Sequence, residues 1–530
     1  MSAVYINPIL SGFYPDPSIC RVNDDYYLVT SSFAYYPGLP IFHSRDLVSW
    51  KQIGYAMNRP GQLNLDGAGV SRGLFAPTIR YHNGTYYISC TLVDKGGNFI
   101  ISAKDPTGPW SDPAWFPEID GIDPSLFFDD SGKVYIVYNS VAPDNSPLYD
   151  GHRTIRMYEI DIASMKLVGE EKLLVNGGVD INAKPVWIEA PHILKKDGWY
   201  YLLCAEGGTY DWHSEVVFRS RRVDGPYESA AINPILTQRH LDHRRKHPVT
   251  TAGHADLVET PDGRWYAVFL ACRPYDDDHY NTGRETFLAP VTWENGWPII
   301  NYGHHEVQYR YPAPYAGTPV NPFSGNVHFR DDFNADTLDL RWMFLRTVHQ
   351  PWWRLVDGGL VVQVRPETCA GKANPCLLAY RQQNQRCTAV TSMLFAAATP
   401  NEKAGLLIFQ SEHHYYFICK SLLNDKPCVQ LYRSTSTEEM ELINAHELAS
   451  DALQLKIVAD RSNYSFYYAV SGEWKLLKEN MDARFLSTKT AGGFVGCVFA
   501  LYATSQGQHT ANVARFNWFE YTGDDEVYNQ

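Results

Sequence analysis

Several features are missing from this sequence, and each absence removes a class of function. No apolar run approaches the ~20 residues that a membrane-spanning helix needs. The opening stretch Met1 to Gly12 has neither the basic start nor the apolar core of a secretory leader, so the expectation is a cytoplasmic protein with no membrane partner. Positive charge is in deficit: 46 Lys and Arg stand against 59 Asp and Glu, a formal charge of −13. Such a surface offers no general attraction to phosphate backbones or anionic lipid, and no nucleic acid partner is expected. Cysteine is sparse. The ten Cys are spread along the chain without one C-x-x-C, and Cys90, Cys204 and Cys272 lie in apolar runs, which reads as buried thiols in a reducing compartment. No long amphipathic helix pattern is present. What is abundant is aromatic: 35 Tyr, 24 Phe and 14 Trp favour strands and stack well on sugar rings, although core packing alone accounts for many of them.

The 530 residues correspond to two to four domains at about 150 residues each. One pattern recurs five times: a small or acidic residue, usually followed by Pro, an apolar stretch, a turn with Asp, Asn or Gly, and an aromatic strand. The copies run from Asp16-Pro17 to Tyr26-Tyr27, Ala76-Pro77 to Tyr86-Tyr87, Asp123-Pro124 to Tyr135, Ala190-Pro191 to Tyr200-Tyr201, and Ala255-Asp256 to Trp265-Tyr266. From first to last residue the span is 11 in four copies and 12 in the third. Each copy reads as a hairpin, with turns such as Asn83-Gly84, and the spacing between copies leaves room for two more strands. The fold class is therefore all-β, and five radial four-stranded sheets make a five-bladed β-propeller over residues 1–315. Pro312, Pro314, Pro319 and Pro322 mark a stiff extended stretch, with the connector itself at 316–325. Beyond it, residues 326–530 lose the five-fold pattern and alternate as in an antiparallel β-sandwich, for example at Gly359 to Val364 and Phe516 to Tyr521.

In a propeller the inner strands line one channel, so equivalent residues of different copies converge. Asp16 and Asp123 share a repeat position, Glu189 immediately precedes it in the fourth copy, and His254 falls in the matching place in the fifth. A single Asp-Pro is an ordinary strand-entry turn. Three acids at inner-strand starts form a candidate site, suited either to glycoside hydrolysis or to holding a metal. Two other motifs are weaker. Gly69-Val70-Ser71-Arg72-Gly73 fits the serine-hydrolase elbow of an esterase but lacks the preceding strand and following helix. His240, His243 and His247, around Arg244-Arg245-Lys246, read as a solvated basic loop. Glu206 lies past the fourth aromatic strand and is a weaker acid candidate that could still line the pocket.

The segments Tyr14-Pro15-Asp16-Pro17-Ser18, Ile122-Asp123-Pro124-Ser125-Leu126, Ile188-Glu189-Ala190-Pro191-His192, Ala205-Glu206-Gly207-Gly208-Thr209 and Thr282-Gly283-Arg284-Glu285-Thr286 resemble the signatures of glycoside hydrolase family 43. The likeness is to its two-domain β-xylosidase and α-L-arabinofuranosidase group. Arg330-Asp331-Asp332-Phe333 is similar to the opening of that group's concanavalin-like jelly-roll domain. The resemblance implies an exo-acting, inverting enzyme releasing terminal xylose or arabinofuranose from oligosaccharides, β-xylosidase favoured, with α-L-arabinofuranosidase as the alternative main activity. A non-catalytic carbohydrate-binding protein is the rival from another class. By position, Asp16 is implied as general base, Asp123 as the residue tuning the acid, and Glu189 as general acid. Arg284, Phe33 and Phe75 are implied at the sugar pocket, with Glu206 and His254 as further lining. An inverting pair requires Asp16 and Glu189 carboxyls roughly 6.5 to 9.5 Å apart. The chain has Ala190, Phe75 and Thr78 where many relatives have Gly, Trp and His, which leaves the sugar preference open. No cofactor is implied as required. Some relatives hold calcium in the channel, and His254 facing it through waters is the one metal candidate. The resemblance also implies a sandwich loop over the site, with Phe499 to His509 as its expected source, and it leaves a homo-oligomer open.

Overall fold

The computed structural model describes residues 3–317 and 319–529. Met1 and Ser2 of the leader reading, and Thr318 of the expected connector, lie outside the described residues. The strand-favouring composition takes effect almost everywhere: among the described residues the only α-helix is the single turn Thr488–Ala491. Five sheets of four antiparallel strands, the fourth carrying an extra short strand, form the propeller. Their inner strands are Ser18–Val22, Gly73–His82, Gly121–Phe128, Glu189–Lys196 and Thr250–Glu259. The inner hairpins close as the sequence dictates. Asn83-Gly84 and Asp197-Gly198 both hold two successive residues at positive φ, as a two-residue turn that follows the strand twist requires.

One residue at the start of every inner strand adopts the left-handed conformation: Asp16 (φ 56°), Ala76 (31°), Asp123 (57°), Ala190 (52°) and His254 (57°). For residues with a Cβ this costs about 1–2 kcal/mol each. In blades two to five the strand register also slips here, as a bulge does, turning the side chain away from the sheet plane. The fifth copy starts at His254, one residue earlier than the sequence alignment placed it. Its hairpin connection, 260–264, is five residues long like that of blade three at 129–133, so it too carries an insertion in the turn.

The ring is closed without a covalent link. Val4–Ile6 pairs with Arg310–Pro312, and Leu10 bridges Thr286 in blade five. The Asn7 side chain accepts from the Leu288 N–H (2.9 Å) and donates to the Leu288 carbonyl (2.8 Å). The second unit is two facing sheets, one of eight strands and one of seven to which the propeller lends an eighth. The expected strands are there, among them Leu360–Gln363, Lys403–Ser411, His414–Leu423, Ala452–Asp460 and Val513–Gly523. Between the sheets, the buried rings of Phe329 and Tyr380 stack at 4.7 Å and Trp342 meets Phe519 at 5.0 Å. All ten cysteines are free and buried.

The two units are tightly joined. Tyr35–Tyr36, from blade one, adds an edge strand to a sandwich sheet by pairing with Met343–Leu345. Arg273, 1 % exposed, forks onto Glu285 (2.6 and 2.9 Å) and reaches Asp525 (2.8 Å) and the Gln383 carbonyl (2.8 Å) across the boundary. Removing one member of such a desolvated set strands the others, at about 3–5 kcal/mol. Arg273→Met should therefore lower the unfolding temperature clearly in calorimetry. Lys426→Met, which breaks the exposed pair with Glu447, should leave the unfolding temperature near that of the parent. Equal effects would contradict this account of the boundary.

Candidate active site

The left-handed starts bring residues 16, 123, 189 and 254 together at one end of the channel. Asp16 is 5 % exposed and fully engaged. Arg284 donates to its Oδ1 (2.9 Å), Ser31 donates to Oδ2 (2.5 Å), and His254 Nδ1 lies 3.6 Å from Oδ1. Ser31 in turn accepts from the Ala76 N–H (2.7 Å), which locks the carboxylate of blade one to blade two. Burial by itself would raise the pKa of Asp16, but Arg284, His254 and the Ser31 hydroxyl outweigh it and the pKa is lowered. Among the described residues Asp123 accepts only the Ala190 N–H (3.1 Å). Burial and then the charge of Asp16 push it up to about 7. Glu189, partly open to solvent, is raised well above the carboxylate range, first by desolvation and then by Asp123 and Asp16. One carboxylate is thus held anionic and another neutral within the same cluster.

His254 and His213 are both lowered to about 4, chiefly by burial, and are neutral imidazoles. His213 donates Nδ1–H to the Thr251 carbonyl (2.9 Å), leaving Nε2 as a buried acceptor without a partner among the described residues. Glu206 stands apart from the three acids. Its Oε2 accepts the Val179 N–H (3.0 Å), and burial raises its pKa against the opposing pull of that bond and of Arg239.

Phe33 and Phe75, expected at the sugar pocket, come together with a third ring, Phe33 itself being buried (1 % exposed). Phe33 and Phe75 meet edge to face at 5.5 Å, and Phe494 stacks on Phe33 at 6.3 Å and meets Phe75 at 5.5 Å. The Arg284 guanidinium sits over Phe33 and Phe494 at 5.8 and 5.4 Å. A cavity of about 180 Å³ opens beside Arg284, lined by Phe494, Tyr280, Thr251 and Tyr210. A larger cleft of about 790 Å³ lies between blade five and the sandwich, and none of the three acids lines either space.

The sandwich does reach the site, but not through Phe499 to His509. Val498–Thr504 is a buried strand inside a sandwich sheet, and the turn after it bonds to Arg365 and Pro366. Phe494 comes from the preceding loop, and its backbone N–H donates to Ser71 Oγ (2.9 Å). Ser71 is the serine of the hydrolase-like motif, and here it anchors a loop. It stands in a turn before the inner strand of blade two with no helix after it, so the elbow geometry is absent. The signal for Phe494 was the Ala491-Gly492-Gly493 run before it, a local chain break beside an exposed-side aromatic. Among the basic-loop histidines, His243 is paired with Asp278 (2.9 Å), and with Asp211 these form a triad of candidate ligand atoms at the rim.

A propeller whose axis gathers one stabilised carboxylate and one neutral carboxyl beside an arginine and aromatic rings defines a glycoside hydrolase. Residues 5–298 match the family described as Glycosyl hydrolases family 43, and 330–522 match the Beta xylosidase C-terminal Concanavalin A-like domain; the chain belongs to glycosyl hydrolase family 43. It is 40 % identical to a xylosidase/arabinosidase of Butyrivibrio fibrisolvens, over 97 % of this chain and 98 % of that protein. It is 36 % identical to a non-reducing end alpha-L-arabinofuranosidase of Bacteroides ovatus, over 97 % and 94 %. The crystal structure of a xylan beta-1,4-xylosidase from Bacillus halodurans superposes with a TM-score of 0.88 at 32 % identity, covering 98 % of this chain and 100 % of that one.

Phe494 gives the test of the sandwich's part in the site. Truncating a contact-making Phe removes about 1.5–3 kcal/mol of apolar burial, so Phe494→Ala should reduce kcat/KM on an aryl glycoside by about 10- to 100-fold while the unfolding temperature stays near that of the parent. Unchanged kinetics would remove the sandwich from the site.

Proposed function

We propose that the chain is an exo-acting, inverting glycosidase that removes terminal xylose or arabinofuranose from short oligosaccharides, with β-xylosidase as the main activity. The observation that supports this most is the split in protonation among the three acids. Asp16, ionised and braced by Arg284 and Ser31, acts as the base that takes a proton from the attacking water. Glu189, kept neutral, protonates the departing oxygen from the side open to solvent. Asp123 lies between the two roles: its bond to the Ala190 N–H positions the residue next to Glu189, and its charge helps hold the acid's proton. The Phe33, Phe75 and Phe494 rings close the far side of the sugar, which suits a chain end and disfavours cutting within a polymer.

A second reading, α-L-arabinofuranosidase as the main activity, is favoured by the activities for which the relatives are named, which include both sugars. A purely sugar-binding role has no use for a neutral and an ionised carboxyl held side by side. We further propose that the enzyme works in the cytoplasm on imported oligosaccharides. No helix among the described residues is long and apolar enough to cross a membrane.

Side-by-side turnover of aryl β-xyloside and aryl α-arabinofuranoside decides the sugar, and proton NMR of the first-released anomer decides the stereochemistry; retention would overturn the inverting assignment. Glu189→Gln should reduce cleavage of xylobiose by about 10²- to 10⁴-fold yet spare much of the rate on a glycoside with a very acidic phenol. Asp16→Asn should depress both substrates alike. The same leaving-group pattern in Glu206→Gln, and its absence in Glu189→Gln, would reverse the assignment.

The pH profile tests Asp123. Since Glu189 must be protonated to act, the rate falls as pH rises through its pKa. Asp123→Asn removes a charge that raises that pKa, so the alkaline limb should move to lower pH; a shift upward or none would contradict the coupling.

A further inference from the structure

Two residues beyond each left-handed start, the inner strands place Ser18, Thr78, Ser125, His192 and Asp256 at equivalent points around the axis. Among them sits a guanidinium from blade two. Arg80 donates through Nη1 to Asp256 Oδ2 (2.8 Å) and Ser18 Oγ (3.1 Å), and through Nη2 to Asp256 Oδ1 (3.2 Å) and His192 Nδ1 (3.1 Å). Ser125 Oγ lies 3.3 Å from the same His192 nitrogen. One cation from blade two therefore touches blades one, four and five directly, and blade three through His192.

Calcium in this channel would need six to eight oxygen ligands, and the oxygens of Asp256 and Asp16 are already committed. Asp256 Oδ2 also accepts from Ser18 Oγ (2.7 Å) and the Ile19 N–H (3.0 Å). Both oxygens of Asp16 are taken by Arg284 and Ser31. Glu215 has one oxygen on the Ala255 N–H (2.8 Å); the other has no partner among the described residues, and burial holds this carboxyl in its neutral form. His192 accepts from Arg80 at Nδ1, so its buried Nε2 carries the proton and turns an N–H, not a lone pair, towards its surroundings. The carboxylates around His254 thus offer calcium no direct set of free anionic oxygens, and an ion there would have to be held through waters on His254 and on the unpartnered Nε2 of His213.

We propose that Arg80, paired with Asp256 at the propeller axis, ties the blades together where a divalent cation would otherwise do so, and so acts as a positioning residue for the acids. Asp16 is two residues before Ser18, and Glu189 three before His192, so the guanidinium fixes the strand starts that carry both. It makes a channel metal unnecessary in this chain.

The full-length protein, freed of metal by chelator dialysis, provides the test. Isothermal titration with calcium chloride should show no stoichiometric binding, and the unfolding temperature should be equal in chelator and in millimolar calcium; neither measurement depends on which sugar is cleaved. Arg80→Gln should lower kcat by about 10- to 100-fold with KM within about twofold, because the acids shift while the aromatic wall stays. Arg80→Gln/Asp256→Asn should recover much of the unfolding temperature lost in the single variant, since no buried charge is then left unpaired. Stoichiometric calcium binding that stabilises the parent, an unchanged kcat in Arg80→Gln, or no thermal recovery in the double variant would each overturn the proposal. If Arg80→Gln fails to fold, the calcium measurements on the parent still decide it.

Discussion

The architecture rests on one backbone constraint applied five times: an inner strand that begins with a residue at positive φ. A regular strand would alternate its side chains between the two faces of its blade. The left-handed residue interrupts that alternation and aims Asp16, Asp123 and His254 along the channel end, while Ala76 and Ala190 hold the same place in blades two and four, the latter bringing its acid, Glu189, one residue earlier. The strain is met by what surrounds it. In blade four the carboxyl of Asp123 caps the N–H of strained Ala190, and in blade two Ser31 caps that of strained Ala76. Both of these kinks are thus satisfied by a group from the neighbouring blade, and the ring holds its own active-site geometry.

That arrangement separates the charges. Three carboxyls in one desolvated cluster cannot all ionise, and the surrounding donors decide which one does. Asp16 has a guanidinium, a hydroxyl and a nearby imidazole; Asp123 has one N–H, and Glu189 has none in its favour beyond the distant pull of Arg284 and Arg153. The proton therefore settles towards Glu189. Arg284 has a double duty, since the same guanidinium that ionises Asp16 lies over Phe33 and Phe494, tying the electrostatics of the base to the wall of the pocket.

How much of this was legible in the sequence follows from the range of each signal. The hairpins, the equivalence of Asp16 and Asp123, and the place of Glu189 one residue before it were readable because a turn and two strands fit within about a dozen residues and repeat. The fifth copy was misphased by one because its turn carries extra residues, and an alignment on aromatic positions absorbs such an insertion silently. The covering loop was misplaced for a different reason. Phe499 to His509 has the aromatic and glycine content of a loop, but alternation in Val498–Thr504 belongs to a strand buried on both faces, where periodicity gives no warning. Arg80 was invisible: it reads as a polar residue near a strand end, and only the closure of five blades brings Ser18, His192 and Asp256 to it.

The sandwich is more than an attached module, and the reason is steric. Ser71 and Phe494 are 423 residues apart, yet the loop that carries Phe494 approaches blade two so closely that a Cβ on Gly493 would stand 2.3 Å from Ser71 Oγ. Glycine at 493, with φ 77°, is what lets the backbone of one unit lie on the side chain of the other. Gly496 and Gly283 meet in the same manner, backbone against backbone, beside Arg284. Two glycine contacts therefore flank the arginine that ionises Asp16. The sugar-facing ring and the catalytic charge are set by one interface, so the distance between the two units is itself part of the active-site geometry.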